Sequence, residues 1–107
     1  MNPEMIIKKT RAANFISNNG KILRALNMIA TDFNQLSSIR LALGMDSDEF
    51  SESLNYLIEA GYVRIRCCDD HEPAELADHD MTEIEGKLTA KGVQLLFGAI
   101  SDKCVDV

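Results

Sequence analysis

A chain of 107 residues, 46% of them apolar, is long enough to bury one core, too short for two, and too hydrophobic for a disordered segment. Its formal net charge of −6 is concentrated, because eight of the 17 acids and no Lys or Arg lie between Asp69 and Glu85, leaving nine acids against 11 bases elsewhere. Three cysteines, two of them adjacent, argue against a secreted disulfide framework and predict reduced thiols. No run approaches the ~18–20 apolar residues of a membrane span, and the N-terminus lacks the regions of a signal peptide, so a cytoplasmic protein without membrane contact is expected.

Residues 3–18 predict an N-terminal helix with Pro3 in its first turn and Asn18-Asn19-Gly20 as its stop. Its apolar residues, among them Met5, Ile6, Ile7, Phe15 and Ile16, occupy more than one face, and Lys8, Lys9 and Arg11 read as a solvated face. Lys21 to Ala30 predicts a second helix with Ile22, Leu23, Leu26 and Ile29 inward. After a break at Thr31 to Asn34, a short helix capped by Ser37 carries Ile39, Ala42 and Leu43 on one face and ends at Gly44.

The next helix has the clearest signals in the chain. Asp46 or Ser47 caps it, Glu49 stands three residues after Asp46 in capping-box spacing, and Phe50, Leu54, Leu57 and Ile58 form one apolar stripe. Gly61 follows the last apolar turn, and Tyr62 to Arg66 switches to a period of two, which predicts a strand with Val63 and Ile65 inward and Arg64 and Arg66 outward. Thr82 to Leu88 is the returning strand of a hairpin. Thr89 then caps a helix over residues 89–101 with Val93, Leu96, Phe97 and Ile100 inward and Leu95 and Ala99 on a second patch, before a frayed tail from Ser101 to Val107.

The run Glu59-Ala60-Gly61-Tyr62-Val63 entering an alternating strand resembles the third helix and first wing strand of winged helix-turn-helix proteins. Gln35 to Met45 resembles that family's short second helix and glycine turn, and Leu88 to Leu96 its last wing strand and C-terminal helix. The resemblance, to small MarR/PadR-like or phage-type members, spans about Lys21 to Ile100. It implies a mainly α fold with a small antiparallel hairpin (α+β): one domain over 1–107, with a winged core at 21–88 between N-terminal and C-terminal helices. Terminal helices in this family often build a homodimer, and packing within the chain accounts equally well for the apolar patches of these two.

The resemblance also implies a DNA-binding transcriptional regulator, with Arg40, Arg64, Arg66 and Lys87 on phosphates and Asn55 or Tyr56 near bases. The charges oppose this. Asp48, Glu52 and Glu59 share the exposed face of the third helix with Asn55 and Tyr56, and the wing is acidic where DNA-binding wings carry Arg or Lys. The alternative is a protein-interaction module, an accessory or antirepressor-like protein, that offers this face to a basic partner. Arg64 and Arg66 have two readings as well, phosphate contact or neutralisation of Glu83 and Glu85 across the hairpin. No enzyme is expected, since no glycine loop for phosphates and no nucleophile–base pairing is visible. Cys67, Cys68, His71 and His79 are weak candidates for a metal site, lacking the spacing of one, so no metal or other cofactor is expected.

Overall fold

The computed structural model describes residues 2–107, an α+β fold of four α-helices and a three-stranded antiparallel sheet. The helices are α1 (Pro3–Asn27), α2 (Leu36–Leu43), α3 (Ser47–Glu59) and α4 (Ala90–Leu96), and the strands are β1 (Asn34–Gln35), β2 (Val63–Cys67) and β3 (Ile84–Leu88). The sheet order is β1-β3-β2. Val63 faces Leu88, Arg64 faces Lys87 and Arg66 faces Glu85 across β2 and β3, while Asn34 pairs with Gly86 on the other edge. No described helix is long and apolar enough to cross a membrane.

The third helix forms as its sequence dictates. The Asp46 carboxylate accepts the Glu49 N–H at 2.8 Å, Phe50, Leu54 and Leu57 are wholly buried, and Gly61 takes φ +86° just past the Ala60 cap. A side chain at Gly61 would be held in the left-handed region that glycine occupies at no steric cost. Val63 and Leu88 then continue the core that α3 began, together with Ile22, Leu23 and Leu26 of α1, Leu36, Ile84 and Leu95. Thr89 caps α4 by accepting the Gly92 N–H at 3.1 Å. Its own N–H donates to Tyr62 O, and Lys91 Nζ donates to Ala60 O at 2.9 Å, so the end of α3 is sealed by the start of α4.

Several expectations are corrected. Asn18-Asn19-Gly20 does not stop a helix; α1 runs unbroken for 25 residues through it. The reason is tertiary. Asn18 Nδ2 donates to Glu49 Oε2 at 3.2 Å, Asn19 Nδ2 donates to Cys104 O at 2.9 Å, and Gly20 lies directly against the Asp106 carbonyl, where a Cβ would collide. All three residues are buried, Asn18 beside α3 and Asn19 and Gly20 under the C-terminal segment. That segment is therefore not a frayed tail. Val105 is buried, and the Asp106 N–H donates to Ile16 O.

Helix α4 ends at Leu96 rather than residue 101, and its inward face is only partly as expected: Leu96 and Ile100 pack against the core, but Leu95 is wholly buried while Phe97 is 74% exposed and Val93 faces outward. Ile29, expected inward, lies outside α1 and is exposed, and Ser37 is not a cap, because α2 begins at Leu36 after Gln35. The returning strand starts at Ile84 rather than Thr82, and the two-residue β1 makes the expected hairpin a three-stranded sheet.

The tail is held by one carboxylate. Asp102 Oδ2 accepts the Tyr56 hydroxyl at 2.6 Å and the Tyr62 hydroxyl at 2.7 Å, and Oδ1 accepts the Cys104 N–H at 2.8 Å. Burial alone would raise the Asp102 carboxyl, but these donors and nearby Lys91 outweigh it and hold it below the usual carboxylate range. Its hydrogen bond to Asp102, then burial, drives the Tyr56 phenol far above its ordinary value; burial, then Asp102, pushes Tyr62 up to about 12.

The sign follows from linkage. The carboxylate's contribution is complete above the unfolded value and is lost as pH falls through the lower folded one. The Tyr62 contribution is complete below the unfolded value of 10.0 and is lost as pH rises toward about 12. Asp102→Ala is predicted to cost about 2–4 kcal/mol, since it removes three hydrogen bonds to a charged acceptor. Urea melts across pH provide the check: the variant should show a lower midpoint at neutral pH and a shallower loss in acid, and an unchanged midpoint would remove the clasp.

Candidate functional site

Two surfaces collect the residues expected to bind. The first is the solvent face of the sheet. Phe33, in the connection after α1, places its ring beneath three cations: Arg66 Cζ is 3.7 Å from the ring centroid, Arg64 Cζ 5.3 Å and Lys87 Nζ 5.8 Å. Arg64 and Lys87 are directly opposed in the register, a pairing that costs stability between like charges. The negative face of the shared ring offsets that cost. Arg66 is also paired with Glu85, Nε to Oε1 at 2.7 Å, and His71 Nε2 approaches the same oxygen at 3.6 Å. Cross-strand neutralisation thus holds for Arg66 and Glu85, whereas Glu83 faces His79. Arg64 is exposed with no carboxylate partner among the described residues.

The second surface is α3 with the loop that joins β2 to β3. This loop does not project as a free hairpin tip. Arg66 bridges to Pro73, a 3-10 turn spans Leu76–Asp78, and Leu76 and Met81 pack against the core. Ser37 N–H donates to Met81 O, and Gln35 Nε2 donates to Thr82 O at 2.9 Å, which ties the loop to the start of α2. Ser47, Ser51 and Asn55 of α3 therefore line one shallow groove with Ala77, His79 and Asp80. Asn55 is exposed, but it looks onto the acidic loop.

The six nucleic-acid candidates are accordingly divided. Arg64, Arg66 and Lys87 come together around Phe33. Arg40 instead donates from Nη1 to Met45 O at 3.0 Å and braces the turn between α2 and α3. Tyr56 is half-buried on the inward side, its hydroxyl on Asp102 and its ring edge-on to Phe15 at 5.4 Å, so it is not on the exposed face where its sequence position had placed it. Asn55 stands apart from the cationic cluster. Phe33 is the residue that sequence reading missed, since a lone aromatic in a polar connection carries no periodic signal.

The four metal candidates divide too. Cys67 Sγ lies 3.7 Å from His79 Nε2, and His79 Nδ1 is 3.3 Å from Glu83 Oε2, whereas His71 turns to Glu85. Among the described residues no three His, Cys, Asp or Glu side chains form a metal-holding group. A thiol, an imidazole and a carboxylate in series could activate a nucleophile, but the electrostatics oppose it. Burial first, then Asp70, Glu83, Asp69 and Glu72, raises the Cys67 thiol; burial, then Glu85 and Asp69, raises Cys68 against the pull of Arg66.

No known protein family, curated protein or solved structure matches this chain.

Cys67 and Cys68 are predicted to alkylate more slowly than an unstructured peptide thiol at neutral pH, because the thiolate is the nucleophile. Site-resolved mass spectrometry after iodoacetamide treatment measures this. Glu83→Gln, which removes one of the charges that raise Cys67, should speed its labelling; no change on that substitution would show that the carboxylate does not control the thiol.

Proposed function

We propose that this chain is a winged helix-turn-helix protein whose third helix and wing present an acidic surface to a basic protein partner. The strand order β1-β3-β2 and the succession of α2, the Gly44 turn, α3 and a β2–β3 wing support the architecture. The observation that carries the functional reading is the fold-back of the wing along α3. A helix that enters a major groove needs its exposed face clear and electropositive. Here Ser51 and Asn55 border a loop bearing Asp80, while Asp48, Glu52 and Glu59 remain exposed on the same helix. Duplex phosphates would be repelled, and Lys or Arg side chains of a partner would be attracted.

One observation favours a second reading, DNA binding through the wing strands: the Arg64, Arg66 and Lys87 cluster on Phe33. Arg66 already engages Glu85, which leaves Arg64 and Lys87 as the cations of the cluster without a carboxylate partner among the described residues.

Titration with a lysine-rich peptide and with a mixed-sequence duplex, each across a salt series, separates the two. The peptide should bind, weaken as salt rises, and lose affinity on Glu52→Gln with Asp80→Asn. Neutralising Asp69 and Asp70 at the far end of the wing should have a smaller effect. The duplex should not bind. Duplex binding whose logarithmic salt slope falls by about 2 in an Arg64→Ala, Arg66→Ala variant would overturn the reading in favour of phosphate contact.

A further inference from the structure

Between α1 and the first half of α3 lies a cleft of about 550 Å³, a size at which sites bury a ligand. Arg11, Asn14, Phe15 and Asn18 recur at helical spacing and so share one face of α1, and α3 presents Asp48, Glu49, Glu52 and Ser53 to the same space. Arg11, Asn14, Asp48 and Glu52 are exposed and form the rim. Asn18 and Ser53 are buried and form the floor, which the hydrogen bond from Asn18 Nδ2 to Glu49 Oε2 braces. Ser53 is 0% exposed, and its hydroxyl has no hydrogen-bond partner among the described residues. Buried polar atoms are nearly always paired, because an unpaired one has given up water without replacement. The floor of an acidic cleft therefore holds an acceptor that a ligand's donor would satisfy.

We propose that this cleft grips an arginine side chain of the basic partner, an inference that rests on the acidic-surface reading and names what that surface recognises. Four carboxylates, Asp46, Asp48, Glu49 and Glu52, line the cleft against Arg11 as its only base among the described residues, so anions are repelled and a cation is drawn in. The positive end of the α3 dipole opposes a cation, but the Asp46 carboxylate already occupies it by accepting the Glu49 N–H. Asp48 and Glu52 belong to none of the ion pairs of the described residues. A guanidinium suits the cleft better than an ammonium. Its planar fork spreads several N–H donors, enough to meet a rim carboxylate and the Ser53 hydroxyl together. It is weakly hydrated, so a partly buried site strips less from it, and it stacks on aromatic rings. Phe15, held edge-on to Tyr56 at 5.4 Å, supplies a ring in the wall.

Nuclear magnetic resonance titration of the full chain tests this, with a blocked glycine-serine peptide carrying a single arginine, lysine or citrulline. The arginine peptide should shift the side-chain amide signals of Asn14 and Asn18. Lysine should bind about fivefold more weakly, citrulline should not bind, and agmatine, a guanidinium without a peptide, should bind more weakly than the arginine peptide. Ser53→Ala should weaken the arginine peptide about tenfold, and Arg11→Gln should tighten it about threefold by removing the like charge. Circular dichroism melts establish that both variants fold. Unshifted Asn14 and Asn18 signals, equal binding of citrulline, an unchanged affinity in Ser53→Ala, or weaker binding in Arg11→Gln would each overturn the inference. Agmatine binding more tightly than the peptide would overturn it in favour of a small-molecule cation. Asp80 lies outside this cleft, in the groove beside the wing. A lysine-rich peptide that binds and responds to Asp80→Asn, while the arginine peptide leaves Asn14 and Asn18 unshifted, would overturn the cleft alone and leave the partner reading standing.

Discussion

Two tyrosine hydroxyls on one aspartate hold this structure in its observed form. Tyr56 belongs to α3 and Tyr62 to the turn into β2, so a carboxylate from the C-terminal segment cross-links the helix, the start of the sheet and the tail. Once Asp102 is fixed, Cys104 and Asp106 come to lie along α1, and Asn19, Ile16 and Gly20 meet their backbone. Of the buried amides of α1, Asn19 Nδ2 is therefore satisfied by the far end of the chain and Asn18 Nδ2 by Glu49 of α3. A local hydrogen bond would have left them where a turn residue normally stands, at the end of a helix. Closure of the N-terminal and C-terminal regions onto each other explains why so polar a stretch as Asn18-Asn19 sits inside.

The same clasp shows where local reading of the sequence succeeds. The boundaries of α3 were legible, since Asp46, Phe50, Leu54, Leu57 and Gly61 all act within a few residues of one another and agree with the burial that results. Thr89 was legible for the same reason. Asn18-Asn19-Gly20 misled because its partners lie more than eighty residues away for Asn19, and a stop signal in one region became a docking site for another. In α4 the apolar residues occur on both sides, and only contact with Gly92 and Tyr62 decided that Leu95 would be buried and Phe97 left outside. Strand β1 is two polar residues, too few to show a period, and exists because β3 offers a free edge.

The candidate sites were legible in part. The register did bring Arg64, Arg66 and Lys87 to one place, as alternation along two strands predicts. Their neighbours were not legible. Phe33 arrives from a connection, Glu85 captures Arg66, and Tyr56 turns inward toward Asp102, an acid in a stretch whose sequence predicts a loose tail. The loop between β2 and β3 gave its charge in the sequence but not its path, which depends on Met81 and Leu76 finding the core and on two hydrogen bonds to the residues around the start of α2.

An uninterrupted α1 has a mechanical consequence. Its 25 residues make a rod of about 37 Å, anchored over its inner half and free over its outer half. Had Asn18-Asn19-Gly20 broken the helix, a pull or twist on the outer half would have been absorbed there. Because the hydrogen-bonded ladder continues through that point, torque applied near Met5 is carried along the helix to Asn19 and Gly20, against which the tail rests. Whatever grips the outer rod is thereby geared to the Asp102 clasp and, through Tyr56, to the helix that bears the acidic surface.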